Sequence, residues 1–246
     1  MDAIQRSNVF SLQAFRSACS ECTVRELCLP VGLKSTEIKE LDQLIDTRHP
    51  ISKGTTLYRS GDRFKALYAV RTGFFKTCLL HEDGREQVTG FQMMGELLGM
   101  DAISTDSHAC DAVALEDSEV CEIPFEALEQ VSSKIPTLQH HFHRMLSREI
   151  VRDQSLLMLL GSMRAEERLA AFLLNLSKRF SDRGFARDEF ILRMTREDIG
   201  SYLGMKLETV SRTFSRFNAE GIISVRGKAI HIQQPDALND LTSRRS

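Results

Sequence analysis

The chain has 246 residues, 42% of them hydrophobic, with 32 Lys+Arg against 34 Asp+Glu and a formal net charge of −2. That length allows one large or two small domains, and no run approaches the roughly 18 apolar residues of a membrane helix. Residues 1–15 lack a basic stretch followed by an apolar core, so no secretory signal is expected and the reading is a soluble, cytoplasmic protein with no membrane partner.

Residues 1–30 are rich in cysteine and lack hydrophobic periodicity. Of the six cysteines, Cys19, Cys22 and Cys28 fall within ten residues. Without an export signal such crowding points to metal or redox chemistry rather than disulfides. Spacings this short let one loop wrap an inorganic core corner by corner. A cubane cluster needs a fourth thiolate, from Cys78, Cys110 or Cys121, and spacing does not choose among them. A four-cysteine zinc site would use the same residues, although such sites usually show two knuckles and only one exists here. Free thiols are the third reading.

Residues 35–46 carry Ile38, Leu41 and Ile45 at helical spacing, with Ser35 or Thr36 as N-cap. From residue 51 to 125 apolar and β-branched runs are cut by turns at Lys53-Gly54, Gly61-Asp62, Thr72-Gly73, Asp83-Gly84 and Gly95-Glu96. This texture predicts a small antiparallel barrel or jelly roll. Pro136 opens a helix of about 25 residues, longer than usual. Its stripe of Phe142, Leu146, Ile150, Asp153 and Leu157 would face a twin helix in a parallel coiled coil and make a homodimer. His140, His141 and His143 on this helix are expected to be solvated or at the interface. Gly161-Ser162 interrupts the pattern, and a second helix covers residues 165–180.

Residues 195–218 read as a helix-turn-helix. Thr195 caps the first helix, with Asp198 three residues on completing a capping box. Gly204 supplies the break. The second helix, about residues 207–218, buries Val210, Phe214 and Phe217, whereas Glu208, Ser211 and Arg212 share another face near its start. That trio suits the major groove: Arg pairs with guanine O6 and N7, Glu accepts from cytosine N4, and Ser meets either kind of group. Arg216, one turn on, would reach a phosphate. Apolar runs around Arg226-Gly227-Lys228 form a hairpin wing whose cations hold the backbone. Residues 163–230 hold 13 Lys+Arg against 9 Asp+Glu, leaving 19 against 25 elsewhere, so positive charge sits where DNA would bind. An ordinary helical hairpin with solvated charges is the plainer reading; cap, turn, outward trio and basic wing together favour DNA. Nothing supports an enzyme, since no nucleophile–base pattern or phosphate loop is present.

The segments Glu208 to Arg212 (E-T-V-S-R) and Asp198 to Gly204 (D-I-G-S-Y-L-G) resemble the CRP/FNR regulator superfamily. Ala165 to Phe180 and Cys121 to Phe125 (C-E-I-P-F) are similar to its FNR-type anaerobic regulators, and the likeness runs over nearly the whole chain. The resemblance implies an α+β fold in four segments: a cluster-binding stretch (1–30), a β-roll of the cyclic-nucleotide-binding type (31–133), a dimerisation helix (134–161) and a winged helix-turn-helix (162–246). It implies that Cys121 is the fourth ligand, so that Cys19, Cys22, Cys28 and Cys121 hold one oxygen-sensitive [4Fe–4S] cluster. It implies that Glu208, Ser211 and Arg212 read the palindrome TTGAT–four bases–ATCAA to activate or repress genes of anaerobic metabolism. FNR-type helices carry an aspartate where Asp153 stands, and two facing carboxylates would weaken the cluster-free dimer. RNA polymerase is an implied partner, with the turn Glu82-Asp83-Gly84-Arg85 as a candidate contact. Arg85 stands where the family often has an acidic residue, and Lys206 stands at an N-cap where it often has Thr or Ala. The family's cyclic-nucleotide pocket needs an Arg followed by Ser or Thr. Here His108-Ala109-Cys110-Asp111-Ala112 would repel phosphate, so no cyclic nucleotide is expected.

Overall fold

The computed structural model describes residues 19–44, 48–80 and 84–243. The cysteine stretch forms two single turns of 3-10 helix, Cys19–Glu21 and Arg25–Leu27. Helix α1 covers Ser35–Asp42, shorter than predicted. Its first turn is closed by neither Ser35 nor Thr36. Glu37 reaches back instead, and its Oε2 accepts from the Lys34 N–H at 2.7 Å. Ile45 lies outside the described residues.

Eight strands follow: β1 Arg48–Ile51, β2 Thr56–Tyr58, β3 Ala66–Thr72, β4 Phe74–Leu80, β5 Glu86–Met93, β6 Leu97–Leu98, β7 Asp111–Ala114 and β8 Ser118–Pro124. They pair antiparallel in two four-stranded sheets, β1-β8-β3-β6 and β2-β7-β4-β5. Val70 and Val120 of one sheet and Phe75, Ala112 and Ala114 of the other, all buried, share one core. This is the expected β-roll, its strands ended by the glycine turns.

Helix α2 (Phe125–Ser132) leads into α3, which spans Pro136–Ser162 with proline in its first turn. The helix runs straight through Gly161-Ser162. Ser162 satisfies its hydroxyl by donating to the Met158 carbonyl, and the backbone leaves the helix only at Met163. The two halves of α3 differ. Leu138, His141, Phe142 and Met145 are buried in the chain's own core, whereas Ile150, Val151, Leu157 and Met158 are exposed. Phe142 and His141 thus lie in the chain's own core, not on the free surface of the helix, because α3 begins by packing on α2 and the barrel.

The last third contains α4 (Ala165–Ser181), β9 (Glu189–Ile191), α5 (Arg196–Leu203), α6 (Leu207–Ala219), β10 (Ile223–Arg226), β11 (Ala229–Ile232) and α7 (Pro235–Ser243). The wing hairpin β10-β11 gains a third strand, β9, which the sequence reading missed along with α7. Leu169, Leu173, Ile199, Leu203, Val210, Phe214 and Phe217 form the core of this unit. That core is continuous with the barrel, since Phe91 of β5 lies 6.0 Å from Phe172 and 5.2 Å from Tyr202. Polar bonds lock the same seam: Lys76 Nζ meets Asp198 at 2.9 Å, and Ser201 Oγ accepts from the Val88 N–H at 2.8 Å. Among the described residues no helix is long and apolar enough to cross a membrane.

Candidate functional site

Two regions carry the chemistry, and α3 lies between them. The first is a small cavity lined by Cys19, Cys22, Cys28 and Cys121 together with Val24, Leu29, Pro30, Ala69, Val70 and Ile123, with Arg25 and Arg71 at its wall. Three of the thiols come from the N-terminal loop. Cys121 comes from the middle of β8, where it pairs with Arg48 on one side and Ala69 on the other. The loop is anchored at its start by Asp42 of α1, whose carboxylate accepts from the Cys19 N–H and, at 2.9 Å, from the Ser20 hydroxyl.

Burial governs the thiols. It pushes Cys28 up to about 12 and Cys121 to about 11, and it raises Cys19 as well. Each is pushed further by its neighbouring cysteines, because like charges in one apolar pocket repel. Arg48 and Arg71 offset this only at Cys121. Four thiolates can share this space only if a bound metal group supplies positive charge, so the donor chemistry fits an iron–sulfur core. Among the described residues no three Cys, His, Asp or Glu side chains are arranged around one point to hold a single metal ion. The structure sets the other two cysteines elsewhere: Cys78 is buried on β4, and Cys110 sits beside Tyr58 and Asp101.

The second region is the helix-turn-helix. Thr195 Oγ1 accepts from the Asp198 N–H at 3.0 Å, and the Asp198 carboxylate accepts from the Thr195 N–H at 2.8 Å. Gly204 ends α5 in the left-handed region at φ 60°, a conformation that lets the chain reverse into α6. Helix α6 buries Val210, Thr213, Phe214 and Phe217 and exposes Glu208, Ser211 and Arg212 together. Lys206 is its N-cap and makes no side-chain cap bond. Arg226 and Lys228 are exposed on the two sides of the Gly227 turn, and Lys228 Nζ donates to the Arg193 carbonyl at 3.2 Å. Arg216 is exposed but ion-paired, with Glu166 of α4 and with Glu220 at 3.3 Å. It would have to leave those carboxylates to reach a phosphate.

On α3, Leu146, Ile150, Asp153 and Leu157 follow one another at steps of four, three and four, on one face. Leu146 is half-buried, Asp153 is exposed, and Ile150 and Leu157 are 58% and 69% exposed. Burial raises the Asp153 carboxyl while Arg152 lowers it, with a net upward shift. Of the turn Glu82-Asp83-Gly84-Arg85, the first two residues lie outside the described residues.

Comparison with known proteins bears on both regions. Family models for a Crp-like helix-turn-helix domain and a cyclic nucleotide-binding domain match residues 167–241 and 48–134. The chain is 48% identical over 223 residues to the fumarate and nitrate reduction regulatory protein of Escherichia coli K12, covering 91% of this chain and 89% of that one. It is 49% identical over 220 residues to the protein of that name from Salmonella typhimurium LT2, covering 89% and 88%. The solved structure of FixK2 from Bradyrhizobium japonicum superposes with a TM-score of 0.75 at 29% identity, over 81% of this chain and 98% of FixK2. The c-di-GMP responsive regulator CLP of Xanthomonas campestris shares the fold, with a TM-score of 0.63 at 22% identity over 81% of this chain and 99% of CLP.

Proposed function

Because the chain belongs to the FNR-type transcription regulators of the CRP family, which bind DNA and are not enzymes, we propose that it is a cytoplasmic oxygen-responsive regulator that acts as a homodimer. Cys19, Cys22, Cys28 and Cys121 would hold one [4Fe–4S] cluster per chain. When bound, the cluster supplies an oxygen-labile core whose iron neutralises the four thiolates. The observation that carries the reading is that four cysteines, drawn from two distant segments, line one small cavity. A single zinc ion needs its sulfurs about 2.3 Å from one point. The chain shows one Cys-x-x-Cys knuckle, Cys19 to Cys22, where structural zinc sites usually show two, which favours the cluster.

The chain's own residues do the rest. Ligation ties the loop of Cys19, Cys22 and Cys28 to β8, and that loop packs against the first half of α3 through Leu29. The second half presents Leu146, Ile150, Asp153 and Leu157 to the twin helix. Two facing Asp153 carboxylates oppose pairing, so without the ordered loop the balance favours monomers; the loop acts only through its preference for the dimeric state. In the dimer, two α6 helices lie one DNA turn apart. Arg212 and Glu208 address a G·C pair and Ser211 the neighbouring base, reading TTGAT–four bases–ATCAA half-sites of anaerobic-metabolism genes. Lys206, Arg226 and Lys228 hold phosphates, and Arg216 joins them once freed from Glu166. The sequence Glu82-Asp83-Gly84-Arg85 and the barrel–α4 junction are the candidate contacts for RNA polymerase. No cyclic nucleotide is required, since Asp111 and the absence of an arginine in residues 108–112 disfavour its phosphate.

The test is anaerobic purification followed by metal and sulfide analysis and DNA binding before and after air. Iron and acid-labile sulfide in equal amounts, with DNA affinity lost in air, are expected. Colourless, zinc-loaded protein would instead indicate a thiol or zinc redox regulator, and affinity indifferent to iron would leave an unregulated DNA binder.

A further inference from the structure

The turn between β5 and β6 joins parts of the molecule that are far apart in sequence. Gly95 has φ +85°, and a Cβ there would stand 2.6 Å from Leu27 Cβ, so Leu27 of the cysteine loop is seated directly on the turn. The next residue, Glu96, is largely but not fully buried, with 12% of its side chain exposed, and gathers three arginines. Arg179 Nη2 lies 2.6 Å from its Oε2, Arg183 Nη2 2.7 Å from its Oε1, and Arg152 Nη2 3.4 Å from Oε1. The Met93 N–H donates to the same carboxylate at 3.1 Å.

These partners belong to different units. Arg152 is on the dimerisation helix α3, Arg179 is on α4, and Arg183 is just beyond the end of α4. The two latter arginines also bond the barrel backbone, Arg179 at the Phe91 carbonyl (2.6 Å) and Arg183 at the Met94 carbonyl (2.7 Å). Helix α4 is in turn tied to α5 of the helix-turn-helix and to the end of α3: Arg168 Nη1 donates to the Leu203 carbonyl at 2.9 Å and Nη2 to the Leu160 carbonyl at 2.8 Å. The turn beneath Leu27 is thus bonded to α3 and α4, and through Arg168 α4 is bonded to α5, which packs on α6.

A largely buried ionic cluster of this kind contributes little net stability compared with apolar packing. What it supplies is geometry, because guanidinium forks are satisfied only in a narrow range of orientations. We propose that Glu96 is a positioning residue for DNA binding: it joins the cysteine loop, through Leu27 and Gly95, to α3 and α4, and so sets the separation of the two recognition helices in the dimer. This rests on the reading that ligation orders the cysteine loop. It adds to the monomer–dimer switch a second effect, on spacing, that acts within an intact dimer.

The test compares Glu96→Gln and Arg152→Gln with the unmodified chain, all reconstituted anaerobically. Iron content, sedimentation and thermal melting are measured beside fluorescence anisotropy on palindromes with three-, four- and five-base spacers. Glu96→Gln is expected to hold iron and dimerise, yet to lose about tenfold in affinity for the four-base spacer, the scale of one charge-assisted hydrogen bond, and to discriminate less against the other two. An iron-loaded Glu96→Gln dimer with the original affinity and spacer preference overturns the proposal. Should Glu96→Gln melt too low to measure, Arg152→Gln decides, because it removes only the outermost arginine; there a relaxed spacer preference supports the role and an unchanged one overturns it. Absence of iron from the unmodified chain would overturn the cluster reading instead, which keeps the two failures distinct.

Discussion

Leu157→Ala should weaken the dimer without weakening the fold, and Phe142→Ala should do the reverse. Leu157 is 69% exposed in the isolated chain. Complete burial of a leucine is worth about 1.5–3 kcal/mol, so pairing would recover roughly 1–2 kcal/mol per copy and about 2–4 per dimer. Alanine keeps only part of that surface, and a loss of about 1.5–3 kcal/mol raises the dimer dissociation constant roughly 10- to 150-fold. Phe142 is 8% exposed and shares a core with Leu138 and Met145. Its truncation opens a cavity at a cost of about 3–5 kcal/mol to the fold. Sedimentation equilibrium on anaerobic protein reads association, and a melting curve on the monomer reads the fold. The reasoning fails if Leu157→Ala leaves association unchanged, or if Phe142→Ala weakens association while the monomer's melting temperature stays put.

Other outcomes follow from the same geometry. Cys121→Ser should remove the visible absorption of anaerobic protein and Cys110→Ser should leave it, since Cys110 does not line the cavity that Cys121 lines; equal loss in both would refute that ligand set. Asp153→Ala should dimerise and bind DNA in air, as sedimentation and anisotropy would register. Arg212→Ala should cost about 1–3 kcal/mol at a matched G·C pair and little once that pair is changed, which binding to altered half-sites reveals. Glu96 titrates at about 2 instead of the ordinary 4.5, because Arg179, Arg152 and Arg183 outweigh the cost of its burial. A depressed carboxyl stabilises the fold above its unfolded value and loses that contribution as pH falls toward the folded one. The barrel–α4 seam should therefore loosen as pH falls from 4.5 toward 2, followed by tyrosine fluorescence, with a smaller step in Glu96→Gln, because Asp198 on the same seam is also held low by Thr195 and Lys76.

Much of the architecture was legible along the chain. Glycine turns between β-branched runs announced the roll, and the period of α3 announced a long helix. The cap at Thr195, the turn at Gly204 and the outward trio of α6 are local features, written within a few residues of each other. The misses have physical causes. Glu37 closes α1 because a long carboxylate can reach back from inside the helix, which a search for Ser or Thr at the cap overlooks. Gly161 does not break α3, since one glycine costs a helix only about 1 kcal/mol. Strand β9 is three residues long and exists by pairing with β11, too brief for any alternation to show.

The apolar stripe on α3 is the clearest case where the chain alone falls short. Periodicity lays Phe142, Leu146, Ile150 and Leu157 along one face, but it cannot say which of them meet the chain's own core. Neighbouring elements decide that, as the roll and α2 cover the first turns and leave the last ones bare. The same holds for charge. Residue order identifies Glu96, Arg152, Arg179 and Arg183 as four ordinary charged residues, and only the fold assembles them into one largely buried cluster beneath Leu27. Short-range chemistry such as caps, turns and hydrophobic period is encoded by adjacent residues and can be read from them. Contacts between residues some 55 to 100 positions apart come from chain closure and packing, so burial, ion pairing and the meeting of Cys121 with Cys19, Cys22 and Cys28 had to await the three-dimensional arrangement.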